Sequence, residues 1–157
     1  MDGGFGGGRG GSKAIQVSGL QQIRDSLRML SIALDKGTVS IAIPDFEADK
    51  LEWLKRDGRD MLQVSPVLLA SLLAKAAPIA LKVVLGQAKP RDIFMGLGFE
   101  FKLQVANRLM QGGADVKGGM RALSPQWIKK KGHANVGYYT GATFRAIFNA
   151  KITVEGV

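Results

Sequence analysis

The chain of 157 residues carries 22 lysines and arginines against 13 acids, a formal charge of +9, with 46% hydrophobic and 22% charged residues. That size and mix suit a folded core rather than wholesale disorder, and the absence of cysteine excludes disulfide frameworks, thiolate zinc sites and cysteine nucleophiles. The positive excess attracts polyanions or an acidic partner, but the basic residues are spread from Lys13 and Arg24 to Lys102, in the manner of a solvated surface.

In chain order, residues 1–12, "MDGGFGGGRGGS", are nearly all glycine and predict a flexible arm that orders only against a partner. Its "FGGGRGG" faintly resembles an RNA-binding RGG segment, in a single copy. The stretch lacks both the basic start and the apolar segment of a secretory signal. Residues 13–157 are expected to form one α+β domain, mainly helical with a small β-sheet, and with a long loop over 112–137.

"KAIQVSG" alternates briefly, and Ser18 is the expected cap of a helix whose Leu20, Ile23, Leu27, Leu30 and Leu34 form one apolar stripe, with Gly37 as its stop. Such a stripe needs a partner, either the domain's own core or a neighbouring subunit. "TVSIAIPD" alternates Val39, Ile41 and Ile43 on one face of a strand that Pro44 ends. Asp45 is the expected cap of the next helix, with acids in its first turn, Lys55 and Arg56 in its last, and Trp53 and Leu54 facing inward.

Ser65-Pro66 opens a further helix with a cap and a first-turn proline. Its small residues from Ala70 to Ala80 permit close packing, and Pro78 is expected to kink it. "VLLASLLAKAAPIALKVVLG" is interrupted by Lys75, Pro78 and Lys82, which predicts a buried or interfacial helix of a soluble protein, with no membrane partner. "PRDIFMGLGFEFKLQVANRLMQGG" continues as helix, with Gly96 and Gly98 for close backbone packing and Gly112-Gly113 as terminator. Ser124-Pro125 starts a brief helix through Trp127, and "NAKITVEGV" reads as a terminal strand with Ile152 and Val154 on one face.

Catalytic chemistry finds little support. The single histidine, His133, lies in a glycine-flanked polar loop with no nucleophile and acid arranged around it. The carboxylates Asp45, Glu47, Asp49, Glu52, Asp57 and Asp60 crowd one short segment, where capping and solvation account for them better than glycoside chemistry. No metal-ligand or EF-hand spacing occurs, and "GGFGGGRGG" has no preceding strand to make a dinucleotide fingerprint. The sequence therefore predicts neither an enzyme nor a cofactor or metal site.

The segment "LSPQWIKKKG", then "GYYTGATFRAIF", then "AKITVEG", from Leu123 to Gly156, resembles a motif of tailed-bacteriophage neck and tail-completion proteins, among them the Mu-type virion morphogenesis and head–tail connector families. Leu123, Ser124, Trp127 and Lys130 match its first part, and Thr140, Gly141 and Ile147 its second. Thr143 stands where the family usually has leucine, and Ala146 where serine is usual. Thr140-Gly141 before "ATFRAIF" also reads as a hydroxyl cap on a helix with Phe144, Ile147 and Phe148 on its apolar face.

The resemblance implies a virion structural protein of the head–tail junction, made in the host bacterial cytoplasm. It would form a homo-oligomeric ring of six or twelve copies between the portal or connector and the tail proteins, with DNA passing through without sequence-specific recognition. Ring closure needs two complementary patches per subunit. One is assigned to the Leu20–Leu34 or Leu68–Val84 helices. The other falls on Trp127, Tyr138, Tyr139, Thr140, Gly141, Phe144, Ile147 and Phe148, with Lys129, Lys130 and Lys131 as a polyanion contact. The alternative is a basic nucleic-acid-binding module, favoured by the charge, the lysine run and the Gly/Arg arm.

Overall fold

The computed structural model describes residues 20–116, 120, 122–132 and 141–157. The arm over residues 1–12, the alternating stretch after Lys13, Ser18, His133, Tyr138, Tyr139 and Thr140 lie outside the described residues. The order is α1 (Leu20–Lys36), β1 (Thr38–Ala42), α2 (Asp45–Arg56), α3 (Pro66–Val84), α4 (Pro90–Gln111), α5 (Pro125–Lys131), α6 (Ala142–Phe148) and β2 (Lys151–Glu155). The fold is mainly helical with a small antiparallel sheet, as the periodicities predict.

Local chemistry sets the boundaries. The Ser65 hydroxyl accepts from the Leu68 amide at 3.1 Å and Pro66 occupies the first helical position, where its missing N–H costs nothing. Pro90 does the same for α4, where the Asp92 carboxylate accepts from the Lys89 amide at 2.8 Å. That helix ends on Gly112 in the left-handed region, φ 65°. Gly37 follows α1 for a different reason from the expected stop. Its φ is ordinary, but a Cβ there would lie 2.2 Å from Cζ of Phe94.

Helix α4 is the hub. Its N-terminal half meets α1 and α3 through a cluster of Leu30, Val83 and Ile93, and its C-terminal half meets α2 and α6 through Leu51, Val105, Ala106, Leu109 and Ile147. The sheet lies against its middle. Val39 pairs with Val154 and Ile41 with Ile152, so one face of the ribbon is apolar. Gly98 lets that face approach: a Cβ there would come within 2.7 Å of Val39 Cγ1 and 2.8 Å of Ile152 Cγ2. Gly96 likewise admits Ile79 of α3.

Several expectations are corrected. Asp45 is the first residue of α2, with Pro44 at the cap position and no side-chain cap bond. Trp53 is 61% exposed, because α2 turns Glu47 and Leu51 inward instead. Glu47 is thus a buried, paired carboxylate and not a solvated one. Helix α5 runs past Trp127 to Lys131, placing the lysine run in a helical last turn. Of the α1 stripe only Leu30 is buried, while Leu20, Ile23, Leu27 and Leu34 are exposed.

Candidate subunit-contact surface

Among its described residues, the segment singled out by the sequence folds as two short helices, α5 and α6, followed by strand β2. Ser124 caps α5, its hydroxyl accepting from the Trp127 amide at 3.4 Å, and Pro125 takes the first position. Three lysines then sit where the helix presents its negative end. Gly132, at φ 81°, closes the helix, its amide donating to the Ile128 carbonyl at 2.8 Å.

The lysines are not equivalent. Lys129 and Lys130 are exposed, and the Lys130 ammonium lies 4.8 Å from the centroid of the half-exposed Trp127 ring. Lys131 is partly buried, and this burial, with the Arg59 charge nearby, lowers its pKa. Arg59 itself is buried, paired with Asp57, and donates to the Ala122 carbonyl at 2.7 Å. It ties the approach to α5 to the end of α2.

Helix α6 starts at Gly141, which is buried and in the left-handed region at φ 77°. Few other residues would adopt that conformation without strain. Gly141 thus holds the cap position of α6. One residue into the helix, the Thr143 hydroxyl donates to Glu47 Oε2 at 2.6 Å, and Lys50 Nζ reaches Glu47 Oε1 at 3.2 Å. The Thr143 bond, then Lys50, hold the Glu47 carboxyl below its ordinary pKa, against the opposing effect of burial. A leucine at this position could not make that bond.

The apolar side chains of α6 divide between fold and surface. Ile147 is 4% exposed and belongs to the core with Leu51, Met61 and Leu109, so its side chain is not available to a partner. Phe144 is half-buried and stacks on Phe148 with ring centroids 5.8 Å apart. Phe148 is exposed. Beside it opens a groove of about 610 Å³ between α2 and α6, lined by Pro44, Phe46, Glu47, Arg145 and Asn149. Phe46, 70% exposed, carries the Lys50 ammonium 4.4 Å from its ring centroid. Among the described residues, Trp127, Phe148 and Phe46 are exposed aromatic side chains of this region.

The sequence missed one network entirely. Arg108 is 2% exposed and donates to the Met61 and Gln63 carbonyls, the Ser65 hydroxyl and both oxygens of Asp115. Ser65 also donates to Asp115 at 2.8 Å. The Arg108 bonds, and next the Ser65 bond, hold the Asp115 carboxyl below its usual pKa against burial. Every atom is satisfied, and the network ties the start of α3 and the turn after α4 to one point. Its geometry is that of a structural pin.

Among the described residues no group of three metal-ligating side chains converges, and no buried side-chain polar atom lacks a partner. Comparison with protein families, characterised proteins and solved structures returned no match to this chain.

Proposed function

We propose that the chain is a structural subunit of the tailed-phage head–tail junction, a neck or tail-completion protein. In this reading copies assemble into a closed ring of six or twelve that joins the capsid connector to the tail around the DNA channel. It works by presenting surface to neighbours and not by catalysis, with no cofactor, and its place is the virion. The observation that carries the reading beyond the Leu123–Gly156 resemblance is the exposure of large apolar side chains in two sets, on different elements of the fold. One set lies on α1 and α3, and the other is the aromatic group of Trp127, Phe148 and Phe46. A ring built from heterologous contacts requires two such patches on each subunit, and aromatic anchors carry much of an interface's energy.

The rival reading, a nucleic-acid-binding module, rests on the net charge, the Gly/Arg arm and the lysine run, of which Lys131 is partly buried. Complementation of a phage lacking the protein separates the two, with virions counted by electron microscopy. Trp127→Ala with Phe148→Ala, or Tyr138→Ala with Tyr139→Ala, is expected to leave heads and tails unjoined. Glutamine at Lys129, Lys130 and Lys131 is expected to assemble normally, since exposed charges contribute little singly. The opposite pattern, with the lysine variant failing and the aromatic variants assembling, favours the nucleic-acid grip and sinks the assembly reading.

A further inference from the structure

The two edges of the ribbon are finished differently. On β2 the Arg91 guanidinium donates to the Val154 carbonyl at 3.3 Å, and the Lys102 ammonium donates to the Ala150 carbonyl at 3.0 Å. Both cations come from α4, and they close that outer edge as charged side chains blunt exposed strands. In an antiparallel ladder, pairs that exchange hydrogen bonds alternate with pairs that turn their polar groups away. Val154 turns its carbonyl away from β1, so its partner Val39, and with it Ile41, turn amide and carbonyl outward on the opposite edge. Among the described residues no group of another element bonds to them there.

A furrow runs on from this open edge. Ile41, Ile43, Leu51 and Leu62, with Phe101 and Val105 of α4, line a small apolar pocket of about 110 Å³. Ile43, Leu51 and Leu62 also line a wider groove of about 350 Å³, which reaches Glu52, Lys55 and Asp60. The shared residues make the two cavities one furrow, apolar beside the strand and charged at the end of α2. The size of the apolar part suits a single aliphatic side chain. In the charged part, Glu52 is paired with Arg56, and Asp60 accepts from the Leu62 amide at 3.0 Å. Lys55 is exposed and has no acidic partner among the described residues.

We infer that the β1 edge and its furrow take an extended segment of a different protein, one in which acids flank an aliphatic residue. The segment adds a strand beside β1, and its backbone pairs with the outward amides and carbonyls of Val39 and Ile41. Side chains alternate along a strand, so an aliphatic one enters the pocket beside Ile41 while an acid further on meets Lys55. Charge chooses this occupant. A second copy brings the same +9, and the chain's own alternating stretch opens with Lys13, whereas an acidic segment is attracted. Backbone and pocket supply the affinity, and charge supplies the selection. The edge belongs to neither of the two exposed apolar sets, so the inference does not rest on the assembly reading.

The test is fluorescence anisotropy of the full chain with labelled short peptides that alternate glutamate with valine, leucine or isoleucine. Binding that falls at least about tenfold in Leu62→Glu, in Lys55→Glu and on N-methylation of alternate peptide amides supports the inference. Both side chains are exposed, and unchanged helical melting by circular dichroism shows that the variants fold. Lysine in place of the peptide glutamates should abolish binding. No binding by any peptide of the panel up to about 1 mM overturns the inference, and so does equal binding of the N-methylated peptides. Two further outcomes overturn it by reassigning the edge. Binding seen only in Ile15→Pro gives the edge to the chain's own residues 13–17. Self-association that sedimentation shows in wild type and not in Leu62→Glu gives it to a second copy. The phage complementation decides the assembly reading separately.

Discussion

The two longest helices lie against each other and are used in opposite ways. Helix α3 is the more apolar, yet it buries only Leu68 and Val83 fully and leaves Leu73 and Leu81 exposed. Helix α4 carries Glu100, Lys102, Gln104 and Arg108, yet it is surrounded by α1, α3, α6 and both strands. Composition alone would have reversed their places. What puts α4 at the centre is permission to approach, from Gly96 and Gly98, and a buried guanidinium whose donors are all used. Among the described residues, much of the apolar surface of α3 stays exposed. That exposure is the physical basis for reading the protein as a piece of an assembly.

The largest expected effect breaks the hub. Arg108→Leu leaves Asp115, Ser65 and two carbonyls without their shared buried donor and should cost about 3–5 kcal/mol in urea denaturation. Leu73→Glu on the outer flank of α3 should change monomer stability by less than about 0.5 kcal/mol. Equal losses in the two variants would mean that the α3 flank is internal after all.

Close approach is next. Gly98→Ala forces a methyl into Val39 and Ile152 and should cost about 1–3 kcal/mol. Ala74→Leu, on the exposed side of α3, should be nearly neutral in the monomer. The two midpoints in the same denaturant series check the contrast.

The contact region supplies a smaller and pH-dependent effect. Thr143→Val removes the hydroxyl from the buried Glu47 carboxylate and should cost about 1–2 kcal/mol near neutral pH. Glu47 and Asp115 both have folded-state pKa values below their ordinary 4.5 and 3.8. Their contribution is therefore complete above those ordinary values and is lost as pH falls through the lower, folded ones. Wild type should lose stability on acidification below about pH 4.5, and Thr143→Val should lose less over the same interval. Parallel pH profiles in the two proteins would refute the role given to this bond.

The smallest effect belongs to the lysines. Lys129→Gln with Lys130→Gln should leave thermal stability within about 0.5 kcal/mol of wild type. Any binding of duplex DNA by the wild type should weaken in this variant, with a shallower dependence on salt.

These contrasts mark what is legible. The stripe from Leu20 to Leu34, the Ser65-Pro66 start and the strands around Ile41 and Ile152 follow from spacing and cap chemistry, because those signals are local. The close-packing role of Gly96 and Gly98 is also readable. The lysine run before Gly132 carries the mark of a helix end, basic residues followed by glycine, but the glycine-rich stretches on either side of it outweigh that mark in favour of a loop. Trp53 is misplaced because the inward side of α2 is chosen by Glu47, whose partner Thr143 lies 96 residues away. The Arg108 pin leaves no trace in the sequence. Two of its acceptors are backbone carbonyls, which any residue supplies, and they lie 47 and 45 residues from it.

The central claim is that apolar surface, and not the positive charge, is what this protein uses to meet its partners. The measurement that tests it most directly is the mass of the purified full chain by light scattering across a salt series, with negative-stain images of the same samples. Apolar assembly predicts a closed particle of constant copy number that persists, or tightens, as salt rises from about 50 to 500 mM. A chain that stays monomeric throughout, alone and with neck-partner proteins, while binding DNA tightly at low salt and releasing it at high salt, would contradict the account.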